Sequence, residues 1–334
     1  MIQTKETSKH ESYFYHSFPR PKKHGIDQLQ KGLKILESIL DFGLVLAPEI
    51  IRWEYPHADG APPRPLETVQ RRVCFTELAP QGLCEHAKEF GPFALEFEID
   101  TLKALHALPV FYIPRGPSSL GQTLVIQIAD AMCLIDRMAQ VREFIETNTI
   151  SGSRQNFEFG FSRKRIFSLD IDETLRSFEG IGCGVTPPKM LSLALEGVLN
   201  LFYPADADET RENRSLKYYR QREWRIAANI GHMDKDLMGL PSKTLINRLL
   251  TIDAEFYGNE FPKSDVSLSN PSPENQPIGK RLVDWLYVFQ GIDDRHIVGA
   301  ARRIIVPSEA MDRAREILSK YSKSPPVVAI ENIC

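Results

Sequence analysis

The chain has 334 residues, 42% of them hydrophobic and 25% charged, an ordinary globular composition that can bury a core in one large domain or two small ones. A formal net charge of -3 and a pI near 6.3 exclude a global attraction for nucleic acid or anionic membrane, so any such partner has to be held by a local patch. Five irregularly spaced cysteines without a C-x-x-C pair read as reduced thiols of a cytoplasmic protein. Cys74, Cys84 and His86 lack the ligand spacing of structural zinc, and no metal is expected.

Residues 1–12 form a polar leader with no apolar stretch behind it, and no apolar run approaches the ~18 residues of a membrane span, so no membrane contact is expected. "YFYHSF" (13 to 18) then predicts a short aromatic strand. In "IDQLQKGLKILESILDFGL" Leu29, Leu33, Leu36, Ile39 and Leu40 recur at helical spacing, with Gly43 where a helix-ending glycine belongs. "APPRP" reads as a loop, "RRVCFTEL" (71 to 78) as a second strand, "PQGLCEHAKEFG" as a helix, and "FALEFEI" and "PVFYIPRG" as two further strands.

From Leu120 to Phe144 apolar residues are spaced by three or four over several turns, which predicts a long helical insertion at about 119–148. Its stripe of Leu124, Ile128, Ile135 and Met138 is expected to face a sheet or a second protomer. "FEFGFS" and "RIFSLDI" follow as a hairpin, and the glycine-rich "IGCGVTPP" leads into the helix "KMLSLALEGVLNLF". A loop-rich tract, "NEFPKSDVSLSNPSPENQPIG" (259 to 279), precedes a closing strand and helix in "ARRIIVPSEAMDRAREILSKY". The sum is an α+β fold with a mostly antiparallel mixed sheet and flanking helices: one domain over 13–322, after the leader and before a tail at 323–334.

The candidate site lies in Arg211 to Arg225, where six basic residues face only Glu212 and Glu223, with Tyr218, Tyr219 and Trp224 interleaved. Such a segment suits a ligand with a phosphate and a flat ring, which a nucleotide and a single-stranded nucleic acid both provide, and it equally suits a solvated basic face. Gln221 and Glu223 form a Q-x-E triplet, and a glutamate beside a bound sugar can stabilise the charge that develops as a glycosidic bond breaks. His16 is the candidate second residue of the centre, Ser17 and Thr76 offer short polar contacts, and Phe75, Tyr112 and Tyr219 offer rings for stacking. Arg220, Arg222 and Arg225 are candidates for holding pyrophosphate.

"RRVCFTELAPQGLCEHAKEFGPFALEF", "PVFYIPRG", "YYRQREWRI" and "HIVGAARRIIVPSEAMDRAREIL" together resemble the AbiGi family of abortive-infection proteins, over about His16 to about Leu318. This resemblance implies a role in antiviral defence as the antitoxin partner of a toxin. A wider resemblance, to ADP-ribosyltransferase-like folds of the DarT type, implies NAD as cofactor, His16 against a ribose, Thr76 on the second strand, Glu223 as catalytic acid and Gln221 two residues before it. The chain differs from these patterns in carrying Gln221 where the AbiGi element has glutamate, and C-F-T where the transferases have S-T-S. Two functions are therefore expected: an ADP-ribosyltransferase-like, NAD- or nucleotide-binding defence protein, or a non-catalytic antitoxin or sensor that binds a partner protein or nucleic acid through 211–225.

Overall fold

The computed structural model describes residues 12–21, 28–54, 65–116, 118–148, 154–158, 166–170, 188–205, 222–228, 238–259, 282–292, 295–321 and 324–333. In chain order the elements begin with β1 (Tyr13–Phe18), α1 (Gln28–Phe42), β2 (Leu44–Glu54), β3 (Pro65–Leu78), α2 (Leu83–Phe90) and β4 (Phe93–Phe97). Next come α3 (Ile99–Ala104), β5 (Leu108–Pro109), β6 (Phe111–Ile113), α4 (Leu120–Asn148), β7 (Arg154–Glu158), β8 (Ile166–Asp170), α5 (Pro188–Leu199), β9 (Phe202–Pro204) and β10 (Arg222–Ala227). The last are α6 (Lys243–Ile252), α7 (Ala254–Gly258), β11 (Tyr287–Phe289), β12 (Gly291–Ile292), β13 (Arg295–His296), α8 (Ile297–Ala300), β14 (Arg303–Val306), α9 (Met311–Leu318) and β15 (Val327–Ala329).

The architecture is α+β, with a mixed, mostly antiparallel sheet and flanking helices. Its main path runs β11-β2-β3-β1-β4-β14-β15, and β10 pairs with both β3 and β5. The β14–β15 pairing is parallel and the other pairings in this sheet are antiparallel. Within the expected tail, β15 adds to the sheet beside β14, with Val327, Val328 and Ala329 in register with Ile304, Ile305 and Val306.

Strand alternation sends successive side chains to opposite faces. One face carries the main core: Phe14 and Phe18 of β1, Val73 and Phe75 of β3, Phe93, Leu95 and Phe97 of β4, and Ile304 and Val306 of β14 pack under α1 and α9. Helix α1 approaches closely because Gly32 leaves room for Phe93; a Cβ at Gly32 would meet that ring at 2.2 Å. The helix stops as its sequence predicts, at Gly43, whose φ of 99° favours glycine and whose amide bonds the Ile39 carbonyl at 2.8 Å.

The second face is divided into smaller apolar clusters. One is Ile51, Trp53 and Leu66 under Val125, Ile126, Ala129 and Met132 of α4 and Leu199 of α5. Another is Tyr13, Tyr15, Leu83, Ala94, Ile305 and Ile330. On α4 the buried stripe is rotated from the expected one: Leu124 is 50% exposed, while Val125, Ile126, Ala129 and Met132 are buried. Ile128 packs on the edge of that cluster, Ile135 is half-buried, and the Met138 side chain lies outside the described residues. The rotation follows from the sheet below, where Trp53 and Leu66 offer their surface to that side of the helix.

Sequence and structure differ most at β2. "LVLAPEIIRWE" is a full strand although it contains Pro48, and its partner β3 begins at Pro65, six residues before the predicted start. The predicted strand in "PVFYIPRG" is split into β5, which pairs with β10, and β6, which runs parallel to β9. Residues 181–187 and 260–279, read as a glycine-rich turn and a long connection, lie outside the described residues.

Candidate functional site

The even-numbered residues of β3 read Leu66, Thr68, Gln70, Arg72, Cys74, Thr76 and Leu78 on the second face. Leu66 belongs to the cluster under α4, and Leu78 packs on the cluster around Tyr15. Between these apolar ends lies a polar strip, and β10 lays Glu223 opposite Thr76 and Arg225 opposite Cys74 against it.

The Glu223 side chain is 11% exposed and that of Arg225 1%. The guanidinium Nε of Arg225 donates to Glu223 Oε1 at 2.8 Å, and the Tyr112 hydroxyl donates to Glu223 Oε2 at 2.7 Å. Arg225 also donates to the Asn200 carbonyl at 3.1 Å and to Gln70 Oε1 at 3.4 Å. Gln70 in turn receives a 2.6 Å bond from Arg72 and donates to the carbonyls of Leu199 and Phe202. Tyr203 lies between two guanidinium groups, with Arg72 and Arg225 each 4.9 Å from its ring centre, and its hydroxyl donates to Glu49, which also pairs with Arg72.

Burial by itself would raise the Glu223 pKa. The charges of Arg225 and then Arg72, with hydrogen bonds from Cys74 and Tyr112, outweigh it and hold the carboxyl at about 2. Burial and the neighbouring Glu223 push the Cys74 thiol up to about 11 and raise the Tyr112 phenol as well. Glu223 is thus an ionised carboxylate whose oxygens are engaged by protein donors.

His16 belongs to the other face. Its ring centre lies 5.8 Å from that of Phe75 and 6.0 Å from that of Phe18, both core residues, and its Nδ1 bonds the Cys74 carbonyl at 3.0 Å. Trp224, the neighbour of Glu223, reaches Phe14 on this same face at 5.6 Å, so Glu223 points away from it. Burial lowers the His16 pKa and favours the neutral ring, with Nδ1 donating to the carbonyl.

The structure therefore brings together Glu223, Arg225, Tyr112 and Thr76, and it separates them from His16 and Phe75. Phe75 is fully buried in the main core, which leaves no ring face for a base. Ser17 is on the face of Glu223 but on β1, in register with Ala94 of β4. Arg222 is exposed and paired with Glu77 at 3.3 Å. Arg225 is committed inside the sheet layer rather than turned out toward a pyrophosphate. Gln221, Tyr219 and Arg220, with the rest of 211–221, lie outside the described residues.

Sequence reading missed Gln70, Arg72, Cys74, Tyr203 and Glu49 as members of the network. The signal was there in "TVQRRVCFT", whose every second residue is polar. A cleft of ≈ 240 Å³, including open solvent, adjoins the network through Gln70 and Asn200 and is otherwise lined by Thr68, Val69, Met132, Glu196 and Leu199. Glu223 does not line it. Among the described residues no group of three or more His, Cys, Asp or Glu side chains is arranged to hold a metal ion, and no helix is long and apolar enough to cross a membrane. Comparison with family models, curated proteins and solved structures returned no match.

Proposed function

We propose that the chain is a non-catalytic binding component of an antiviral, abortive-infection system: a cytoplasmic antitoxin or sensor that captures a toxin or another defence protein. In this reading the Glu223–Arg225 pair fixes the sheet that presents the binding surface. The defence role rests on the resemblance of "YYRQREWRI" and the segments before and after it to AbiGi proteins. The non-catalytic role rests on one observation: the Glu223 carboxylate is spent on Arg225 and Tyr112 and faces away from His16.

An ADP-ribosyltransferase-like fold acting on NAD asks more of these residues. His16 and Glu223 would have to hold one ribose, and Arg225 a pyrophosphate. Side chains on opposite faces of a sheet and an arginine buried against a glutamate favour binding over that chemistry.

An infection assay tests the choice at matched soluble yield. Glu223→Gln is expected to keep protection against phage, and reversal of Arg214, Lys217 and Arg220 to glutamate to abolish it by repelling the partner. Loss of protection in Glu223→Gln, with protection kept in the charge reversal, would return the chemistry to Glu223.

A further inference from the structure

Helix α4 is apolar on two sides. Val125, Ile126, Ala129 and Met132 are buried on the side that meets Trp53, Leu66 and Leu199. The other side carries Leu120, Leu124, Gln127, Ala131 and Leu134, all of them exposed, the three leucines by 86%, 50% and 60%. A surface helix ordinarily turns a charged face to water, and a helix apolar all round is a buried one. Between Leu120 and Leu134 the one charged residue is Asp130, which stands beside the exposed row and not in it. The row steps by four, three, four and three residues, the heptad spacing of a coiled-coil seam. In the sequence, apolar residues keep that spacing at Met138, Val141 and Ile145, as far as the helix runs.

We infer that the row from Leu120 to Leu134 is a homotypic seam, along which α4 of one copy packs on α4 of a second copy. Pattern, charge and area choose this occupant. A heptad seam takes a helix with the same spacing, and a second copy of the chain presents one in the same phase, as a twofold interface requires. The row itself is uncharged, so two chains that each carry a net charge of -3 meet there without burying an unpaired ion or opposing like charges.

The area sets the strength. A helix of 29 residues is ~43 Å long and about 10 Å wide, so each copy offers a footprint of roughly 400 Å². Two such footprints fall at the low end of specific interfaces, below about 1,200 Å², which makes the pair reversible and not obligate. Each chain holds its own core beneath α4 and stays folded when the pair separates. Gln127, at the centre of the exposed row, is the polar seam residue that fixes the register and weakens the association.

Sedimentation velocity of the full chain, from dilute solution to the millimolar range, reads the pairing. Wild type should pass from monomer to dimer as concentration rises. The double variant Leu120→Lys, Leu134→Lys should stay monomeric with an unchanged far-UV circular dichroism spectrum. Gln127→Leu leaves the monomer core untouched and should tighten the dimer about tenfold or more, because it removes the polar residue from the seam. A wild type that is monomeric throughout would overturn the second copy as occupant and leave the row to a helix of another protein. A dimer that persists in the lysine variant, or that Gln127→Leu does not tighten, would place the contact elsewhere on the chain and overturn the seam.

Discussion

Glu223 and His16 project from opposite faces of one sheet, although Glu223 pairs with Thr76 and His16 bonds the carbonyl of Cys74 two residues away on the same strand. Alternation causes the separation: Trp224, the neighbour of Glu223, is the residue that joins Phe14 on the His16 side. A shift of one residue in the register of β10 would have put Glu223 beside His16 and Arg225 into the apolar core. In the observed register Glu223 lies opposite Thr76 and Arg225 opposite Cys74, both on the polar strip of β3.

The depressed pKa of Glu223 makes it a source of pH-dependent stability. A carboxyl held at about 2 rather than its ordinary 4.5 contributes about 3 kcal/mol, in full above pH 4.5, and that contribution is lost as the pH falls from 4.5 toward 2. Glu223→Gln is expected to unfold more easily than wild type at pH 7, with the gap closing as acid protonates the native carboxylate. Denaturant titrations at pH 7, 4 and 2.5 measure this directly. A gap that stays constant with pH would mean that Glu223 is not ionised in the fold.

Cys74 reports on the same network from the other side. With its thiol at about 11, the reactive thiolate at pH 8 is more than about a hundredfold scarcer than for an ordinary cysteine near 8.5. Iodoacetamide should therefore modify Cys74 in the native protein far more slowly than in denaturant. Glu223→Gln should speed the reaction by removing the neighbouring charge. Native Cys74 reacting at the rate of a free thiol would contradict the arrangement.

Helix α4 gives a prediction that distinguishes its observed orientation from the one its sequence suggests. Met132→Asp places an unpaired charge under the helix and should cost several kcal/mol, roughly 3 or more, whereas Leu124→Asp on the exposed side should stay within about 1 kcal/mol. Thermal melting of the two variants reads the difference. Equal losses would place both residues in the core.

Much of the sheet was legible because its strands announce themselves: "YFYHSF", "RRVCFTEL", "FALEF" and "REWRIA" all lie within strands of the fold. β2 was not, because Pro48 demotes a strand when read locally. Here it is tolerated opposite Arg71, within an eight-residue pairing with β3. Glu223 stood out in sequence by its crowded surroundings, but its partners could not be read there. Tyr112, Gln70 and Tyr203 come from three separate strands, and only the folded register brings them to Glu223 and Arg225. The orientation of α4 was illegible for a related reason: apolar residues lie on two sides of the helix, and the sheet decides which side is buried.

The central claim, that Glu223 and Arg225 serve the scaffold, is tested most directly by replacing both. Arg225→Met alone leaves a buried carboxylate without its cation and should cost about 3–5 kcal/mol. In the double variant Glu223→Gln, Arg225→Met neither charge remains, and most of that loss should be recovered. If the pair is structural, cells expressing the double variant at wild-type soluble level are protected from phage as well as cells expressing the parent. A double variant that melts near wild type yet gives no protection would contradict the account and make Glu223 or Arg225 part of the chemistry.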